Sequence, residues 1–191
     1  SGINGQLGQA LIKKEREDFE VMGLGKDQFN LENFEGCKKL ISNYQPDWII
    51  NSAAYTAVDQ AETHKSKAYL VNSYGVENIV KSISEYGGKF LHISTDFVFD
   101  GKETKPYSPS DKCNPVNVYG ASKLKGEQLL KKYKNTIILR TSWLYGPKGH
   151  NFCLTMLKLH KKFSENNSSF KVISDQIGCP TSTEDLANIC W

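Results

Sequence analysis

With 191 residues, 39% of them hydrophobic and 24% charged, the chain has the length and apolar content of one folded domain with a real core. The formal net charge of +3 is spread along the sequence, and its densest basic pairs, Lys131-Lys132 and Lys161-Lys162, fall inside helix-like patterns, so no cationic arm for nucleic acid is present. No apolar run approaches a membrane span, and the N-terminus lacks the basic and apolar regions of a signal peptide; no membrane association and a cytoplasmic location are expected. The five cysteines, Cys37, Cys113, Cys153, Cys179 and Cys190, show no C-x-x-C spacing and are expected to be buried thiols, with neither a disulfide framework nor a metal site.

In chain order, the first feature is Gly2, Gly5 and Gly8, a G-x-x-G-x-x-G run directly before an amphipathic helix predicted over residues 6–14. Absent side chains there let backbone N–H groups and the helix dipole approach a pyrophosphate; a flexible terminal turn is the structural alternative. Ser1 falls where a dinucleotide-binding domain should already have completed its first, central strand, so that strand is expected to be missing. A strand is predicted over residues 19–24, followed by Gly25 and Lys26. An acidic residue usually binds the adenosine ribose at this point. Gly25 removes that carboxylate and Lys26 could add a phosphate contact, which favours NADPH, with NADH as the alternative; Asn30 and Leu31 are candidate neighbours of the adenine.

A helix over residues 32–44 leads to a strand over 48–53, whose small residues Ser52, Ala53 and Ala54 before Tyr55 would let a flat cofactor pass close to the backbone. After a helix over 65–86, the strand over 90–94 ends in Ser94-Thr95-Asp96, at the edge where α/β sheets bind ligands. Thr95 is the first choice there for a hydroxyl holding a carbonyl oxygen, and Ser94 the second. The irregular stretch 100–118, with Pro106, Pro109 and Pro115, is predicted to be a functional loop. The helix over 119–133 then carries Tyr119 and Lys123 on one face, an arrangement suited to carbonyl reduction. The phenol protonates oxygen, and a nearby ammonium is expected to lower the tyrosine pKa; an exposed helix pair is the structural alternative. A strand over 136–141, a helix over 152–163, a strand over 170–173 and a helix from 183 complete the pattern. Repeated β-α units predict an α/β, Rossmann-like, doubly wound parallel sheet: one nucleotide-binding domain, incomplete at both ends, without most of a C-terminal substrate-binding part.

The blocks Gly2-Ile3-Asn4-Gly5-Gln6-Leu7-Gly8, Ala53-Ala54-Tyr55-Thr56-Ala57-Val58-Asp59, Ser94-Thr95-Asp96-Phe97-Val98-Phe99-Asp100-Gly101 and Asn117-Val118-Tyr119-Gly120-Ala121-Ser122-Lys123 resemble the dTDP-4-dehydrorhamnose reductase family of extended short-chain dehydrogenases. The resemblance continues through Arg140-Thr141-Ser142-Trp143-Leu144-Tyr145-Gly146, Asn151-Phe152 and Asp175-Gln176-Ile177-Gly178-Cys179-Pro180-Thr181. It implies a catalytic set of Thr95, Tyr119 and Lys123 and reduction by NADPH of the C4 carbonyl of dTDP-4-dehydro-L-rhamnose. It further implies cofactor contacts from Gly5, Gln6, Leu7, Ala54, Tyr55 and Ile93, and substrate contacts from Thr56, Val58, Asp96 and Trp143; Gly2, Asn4, Ala53, Tyr119 and Lys123 complete the candidate cofactor contacts, and Thr95 and Tyr119 the candidate substrate contacts. A core indole is the alternative for Trp143. A sugar nucleotide as partner, a homodimer and no metal complete the expectations. Gly25 and Asn30 stand where the family usually carries acidic residues, Phe97 where a tyrosine is common, and Pro109 and Ser110 where loop residues are usually acidic. The competing readings are a non-catalytic, NADP-binding regulatory subunit of the methionine adenosyltransferase type, and a reductase or epimerase of another sugar nucleotide.

Overall fold

Parallel β-α units require a buried sheet between helical layers, and the computed structural model, which describes all 191 residues, has that arrangement. In chain order the elements are α1 (Gln6–Lys13), α2 (Phe34–Tyr44), β1 (Trp48–Asn51), α3 (Val58–Ala61), α4 (Lys65–Tyr69), α5 (Gly75–Ser84), β2 (Lys89–Thr95), α6 (Val118–Leu130), β3 (Thr136–Thr141), β4 (Leu144–Tyr145), α7 (Phe152–Glu165), β5 (Thr181–Ser182) and α8 (Thr183–Cys190). The three longer strands form a parallel sheet in the order β1-β2-β3, with Asn51 opposite His92 and Thr95 opposite Thr141; β4 and β5 make a separate parallel pair.

Successive β2 residues face opposite sides of the sheet, and this alternation assigns the two cores. Phe90 joins Ile41 of α2, Ile79, Val80 and Ile83 of α5 and Leu130 of α6 on one side. Leu91 and Ile93 join Leu7, Ala10 and Leu11 of α1 with Leu186 and Ala187 of α8 on the other. Two helical layers therefore cover the sheet, as a doubly wound fold requires. No helix is long and apolar enough to cross a membrane.

α4 and α5 run on through a π-helical stretch, Leu70–Tyr74, in which Asn72 and Ser73 are fully buried. Wider turns of this kind commonly mark a site where a helix must present a side chain out of register. Here Asn72 Nδ2 donates to the Ser122 hydroxyl (2.9 Å) and Ser73 Oγ to the Ser122 carbonyl (2.7 Å). A Cβ at Gly126 would collide with the Asn72 carbonyl oxygen, so α6 lies unusually close to this stretch.

Three expectations are corrected. Residues 19–24 form no strand: only Ser1 and Gly2 lie between this segment and β1, so there is no ladder, and Leu24 O merely accepts the N–H groups of Gly2 and Ile3. Residues 170–173 form none either; the segment pairs with no strand, and Ile173 is 71% exposed. The thiols are not uniformly buried. Cys37 is buried, but Cys153 lies on α7, which buries no residue, and Cys179 is exposed in the preceding approach to β5.

Candidate active site

At the C-terminal edge of the sheet, Gly2 adopts φ +82°, and a Cβ there would lie 2.7 Å from Ala53 N, so the turn presses directly on the end of β1. A Cβ at Gly8 would collide with the Gly2 carbonyl oxygen, which is why the turn can close on α1 only with glycine there. Gly5 is the N-cap of α1 and supplies no side-chain cap, so the first-turn N–H groups keep no such partner and retain the partial positive charge of the helix end. Gln6 donates to His150 O (2.9 Å) and accepts from Asn151 Nδ2 (2.8 Å), drawing the loop before α7 onto this turn.

The second-strand segment ends beside it. A Cβ at Gly25 would meet only the amide end of the Asn4 side chain, with Nδ2 at 2.8 Å. Lys26 pairs with Glu32 Oε1 at 3.0 Å on the surface, and Asn30 Oδ1 accepts from Glu32 N (3.0 Å). The Leu31 side chain is taken by the core, which leaves only its backbone for contact with a ligand. Beyond β1, Tyr55 is held by both backbone groups on Asn72, N to Oδ1 at 2.8 Å and O from Nδ2 at 3.1 Å. Thr56 is exposed, and Val58 opens α3.

Thr95 ends β2 and accepts from Phe97 N (3.2 Å) while donating to Asp96 Oδ1 (3.1 Å). Asn117 caps α6 by accepting from Gly120 N (2.7 Å). A Cβ at Gly120 would collide with the Phe97 carbonyl oxygen, so the first turn of α6 packs against the end of β2. That close approach brings Tyr119 to Thr95, with Phe97 edge-on to the phenol ring at 5.6 Å and 75°. Burial raises the Tyr119 pKa, opposed by the Thr95 hydroxyl beside it and assisted by the Asp96 charge. The expected lowering by an ammonium is therefore corrected. Lys123 is fully buried and turned toward the sheet, where Nζ donates to Ile93 O (2.6 Å) and lies 3.0 Å from His92 Nε2.

One turn further along α6, Glu127 accepts from Arg140 Nε (2.9 Å) and Nη2 (2.6 Å) and from Ser94 Oγ (2.6 Å). Ser94 is thereby consumed beneath the sheet, which leaves Thr95 as the available hydroxyl. Thr141 Oγ1, opposite Thr95 in the ladder, is buried without a partner. Trp143 is 44% exposed at φ +46°, with Gly178 against its ring, so the core-indole alternative fails. His92, Asn51, Asn72, Gly120, Gly126, Glu127 and Arg140 shape the site but were not singled out from sequence as site residues. The Asn117 cap three residues before Gly120 was the one local signal.

A glycine turn opening a helix at the C-terminal edge of a parallel sheet, beside a tyrosine and lysine one helical turn apart, defines a Rossmann-like, doubly wound α/β protein. The chain belongs to the family described as the RmlD substrate binding domain, whose model matches residues 1–191. It is 43% identical to the spore coat polysaccharide biosynthesis protein SpsK of Bacillus subtilis, over 98% of this chain and 65% of that protein. It is 40% identical to the dTDP-4-dehydrorhamnose reductase of Sinorhizobium fredii, over 98% of this chain and 62% of the relative. Its fold matches the crystal structure of the Bacillus anthracis dTDP-4-dehydrorhamnose reductase in complex with NADP, with TM-score 0.93 and 38% identity, over 99% of this chain and 66% of that one. The chain thus spans less than two thirds of each of these proteins.

Proposed function

We propose that the protein is an NADPH-dependent, cytoplasmic reductase of a sugar nucleotide, acting on the C4 carbonyl of dTDP-4-dehydro-L-rhamnose. The observation that carries this reading is the Tyr119 phenol beside the Thr95 hydroxyl at the ligand-binding edge of the sheet, in a chain of the RmlD family. The glycine turn fits a dinucleotide: the bare Gly2 and Gly8 let the turn close on α1, and the uncapped N-terminus of α1 offers its backbone N–H groups to a pyrophosphate. Gly2–Gly8, Gly25, Lys26 and Ala53–Tyr55 would hold NADPH, which would supply the hydride when bound. Thr95 turns its hydroxyl hydrogen from Asp96 to the substrate carbonyl, and Tyr119 delivers the proton to the same oxygen. Trp143, Thr56 and Val58 bound the sugar side.

The test is NADPH oxidation by the full-length protein with dTDP-4-dehydro-L-rhamnose, repeated with NADH. Turnover with an NADPH preference is the expected result. Tight cofactor binding with no turnover would favour the regulatory-subunit reading, and turnover only on another sugar nucleotide would favour the third.

Two variants probe the cofactor site. Gly8→Ala is expected to weaken NADPH binding by at least about tenfold in a fluorescence titration, since its methyl group strikes the backbone of the turn. Lys26→Ala is expected to raise the Kd for NADPH severalfold and leave that for NADH nearly unchanged. The effect is modest because Lys26 is exposed and already shared with Glu32. Equal loss for both cofactors would remove Lys26 from the 2′-phosphate site.

A further inference from the structure

The segment 175–181 is laid along the turn that leaves β3. Ser142 Oγ donates to Cys179 O (2.7 Å), Thr181 N donates to Trp143 O (3.3 Å), and Leu144 and Tyr145 pair with Thr181 and Ser182. Trp143 stands two residues after Thr141, the ladder partner of Thr95, and so at the ligand-binding edge of the sheet. Its φ of +46° is a conformation that a bulky residue keeps only where its surroundings enforce it, and such outliers cluster at ligand sites. A Cβ on Gly178 would stand 2.6 Å from Trp143 Cε2, 2.8 Å from Cζ2 and 3.1 Å from Cδ2. Cζ2 and Cδ2 flank Cε2 in the ring, so a point this close to all three lies over the face of the indole and not at its edge. Gly178 is not among the glycines with positive φ, so its own backbone does not require glycine. The missing side chain serves the ring instead: bare backbone covers one indole face, and Trp143 still remains 44% exposed.

We propose that Gly178 is a positioning residue for the sugar nucleotide: by backing one face of the Trp143 indole, it fixes the free face as a platform for the substrate beside Thr95. This rests on the proposed reductase, whose sugar side Trp143 bounds. An aromatic ring held in place before the ligand arrives loses little freedom on binding, which is how a residue behind the ring gains a hold on affinity. The backbone on either side of Gly178 and Trp143 is tied by the Ser142–Cys179 and Thr181–Trp143 bonds. A methyl group added at Gly178 therefore displaces the ring, the freer partner, into the space that the sugar would take.

The test compares the full-length protein with its Gly178→Ala variant. Calorimetric titration with dTDP-L-rhamnose in the presence of NADP+ should show a Kd raised by about tenfold, while the affinity for NADPH alone changes by less than about twofold. In steady state the KM for dTDP-4-dehydro-L-rhamnose should rise by a larger factor than kcat falls. In a Trp143→Ala background the same substitution should cause no further loss of dTDP-L-rhamnose affinity, because the ring it displaces is gone. An unchanged Kd in Gly178→Ala, or an equal further loss in the Trp143→Ala background, overturns the proposal. If Gly178→Ala does not fold, nuclear Overhauser contacts in the unaltered protein decide it: the sugar protons of bound dTDP-L-rhamnose must reach the same indole that the Gly178 α-protons touch, and absence of either contact overturns it. Binding of dTDP-L-rhamnose without turnover removes the reductase alone and leaves these binding measurements readable, whereas no binding by the unaltered protein overturns both.

Discussion

Replacing Tyr119 by phenylalanine is expected to lower kcat by about 100- to 10,000-fold, the usual contribution of a positioned general acid, with little change in NADPH affinity or melting temperature. The reason is geometric. Phe97 packs edge-on against the Tyr119 ring, and that contact survives in the variant, whereas the phenol hydroxyl beside Thr95 is lost. Burial raises the phenol above its ordinary value, so the hydroxyl is protonated throughout the neutral range. Reduction in the unaltered enzyme should accordingly not fall with rising pH through neutrality on account of this group. Steady-state rates with NADPH and sugar nucleotide between pH 6 and 9 check both statements. Retention of most of the rate by Tyr119→Phe would assign the proton to another donor, leaving Thr95 and Asp96 as the candidates.

Glu127→Ala is expected to cost about 3 kcal/mol of stability, at the lower end for breaking a buried ion pair because Arg140 keeps partial access to water. Glu127 itself is only 2% exposed and takes three hydrogen bonds, so its removal leaves both the guanidinium and the Ser94 hydroxyl without their partner. Arg140 also donates to Pro109 O (3.2 Å) and lies over the Phe99 ring at 5.0 Å, which couples this ion pair to the loop between β2 and α6. Urea unfolding should therefore show a lower midpoint, and hydrogen exchange should show faster opening of residues 100–117. The double variant Glu127→Leu with Arg140→Met removes both charges together and should recover much of the loss. A double variant as unstable as Glu127→Ala would mean that shape, not charge, dominates at this position.

The alternation of apolar runs and amphipathic stretches was enough to place most elements. The strand expected over residues 136–141 is β3, and the helices before and after it differ from α6 and α7 by at most three residues at their ends. These are local signals: period-2 and period-3.6 patterns depend on side chains near in sequence. The glycine turn, Thr95, Tyr119 and Lys123 were legible for the same reason, since each sits at a strand end or one helical turn from its partner. The apolar segments 19–24 and 170–173 pair with no other strand in the structure, and a strand needs a neighbour to share its hydrogen bonds.

What the sequence by itself determined is the α/β class, the glycine turn at the start of α1, and the Tyr119–Lys123 face of α6. Only the tertiary structure decided between Ser94 and Thr95, because that choice depends on Glu127 lying 33 residues away and taking the Ser94 hydroxyl. It alone turned Lys123 toward His92 and Ile93, and set Tyr119 beside Thr95 through the contact of Gly120 with Phe97. The physical reason is common to all three. Proton positions and pKa values depend on burial and on partners brought together by packing, and those are set across the sheet, not along the chain.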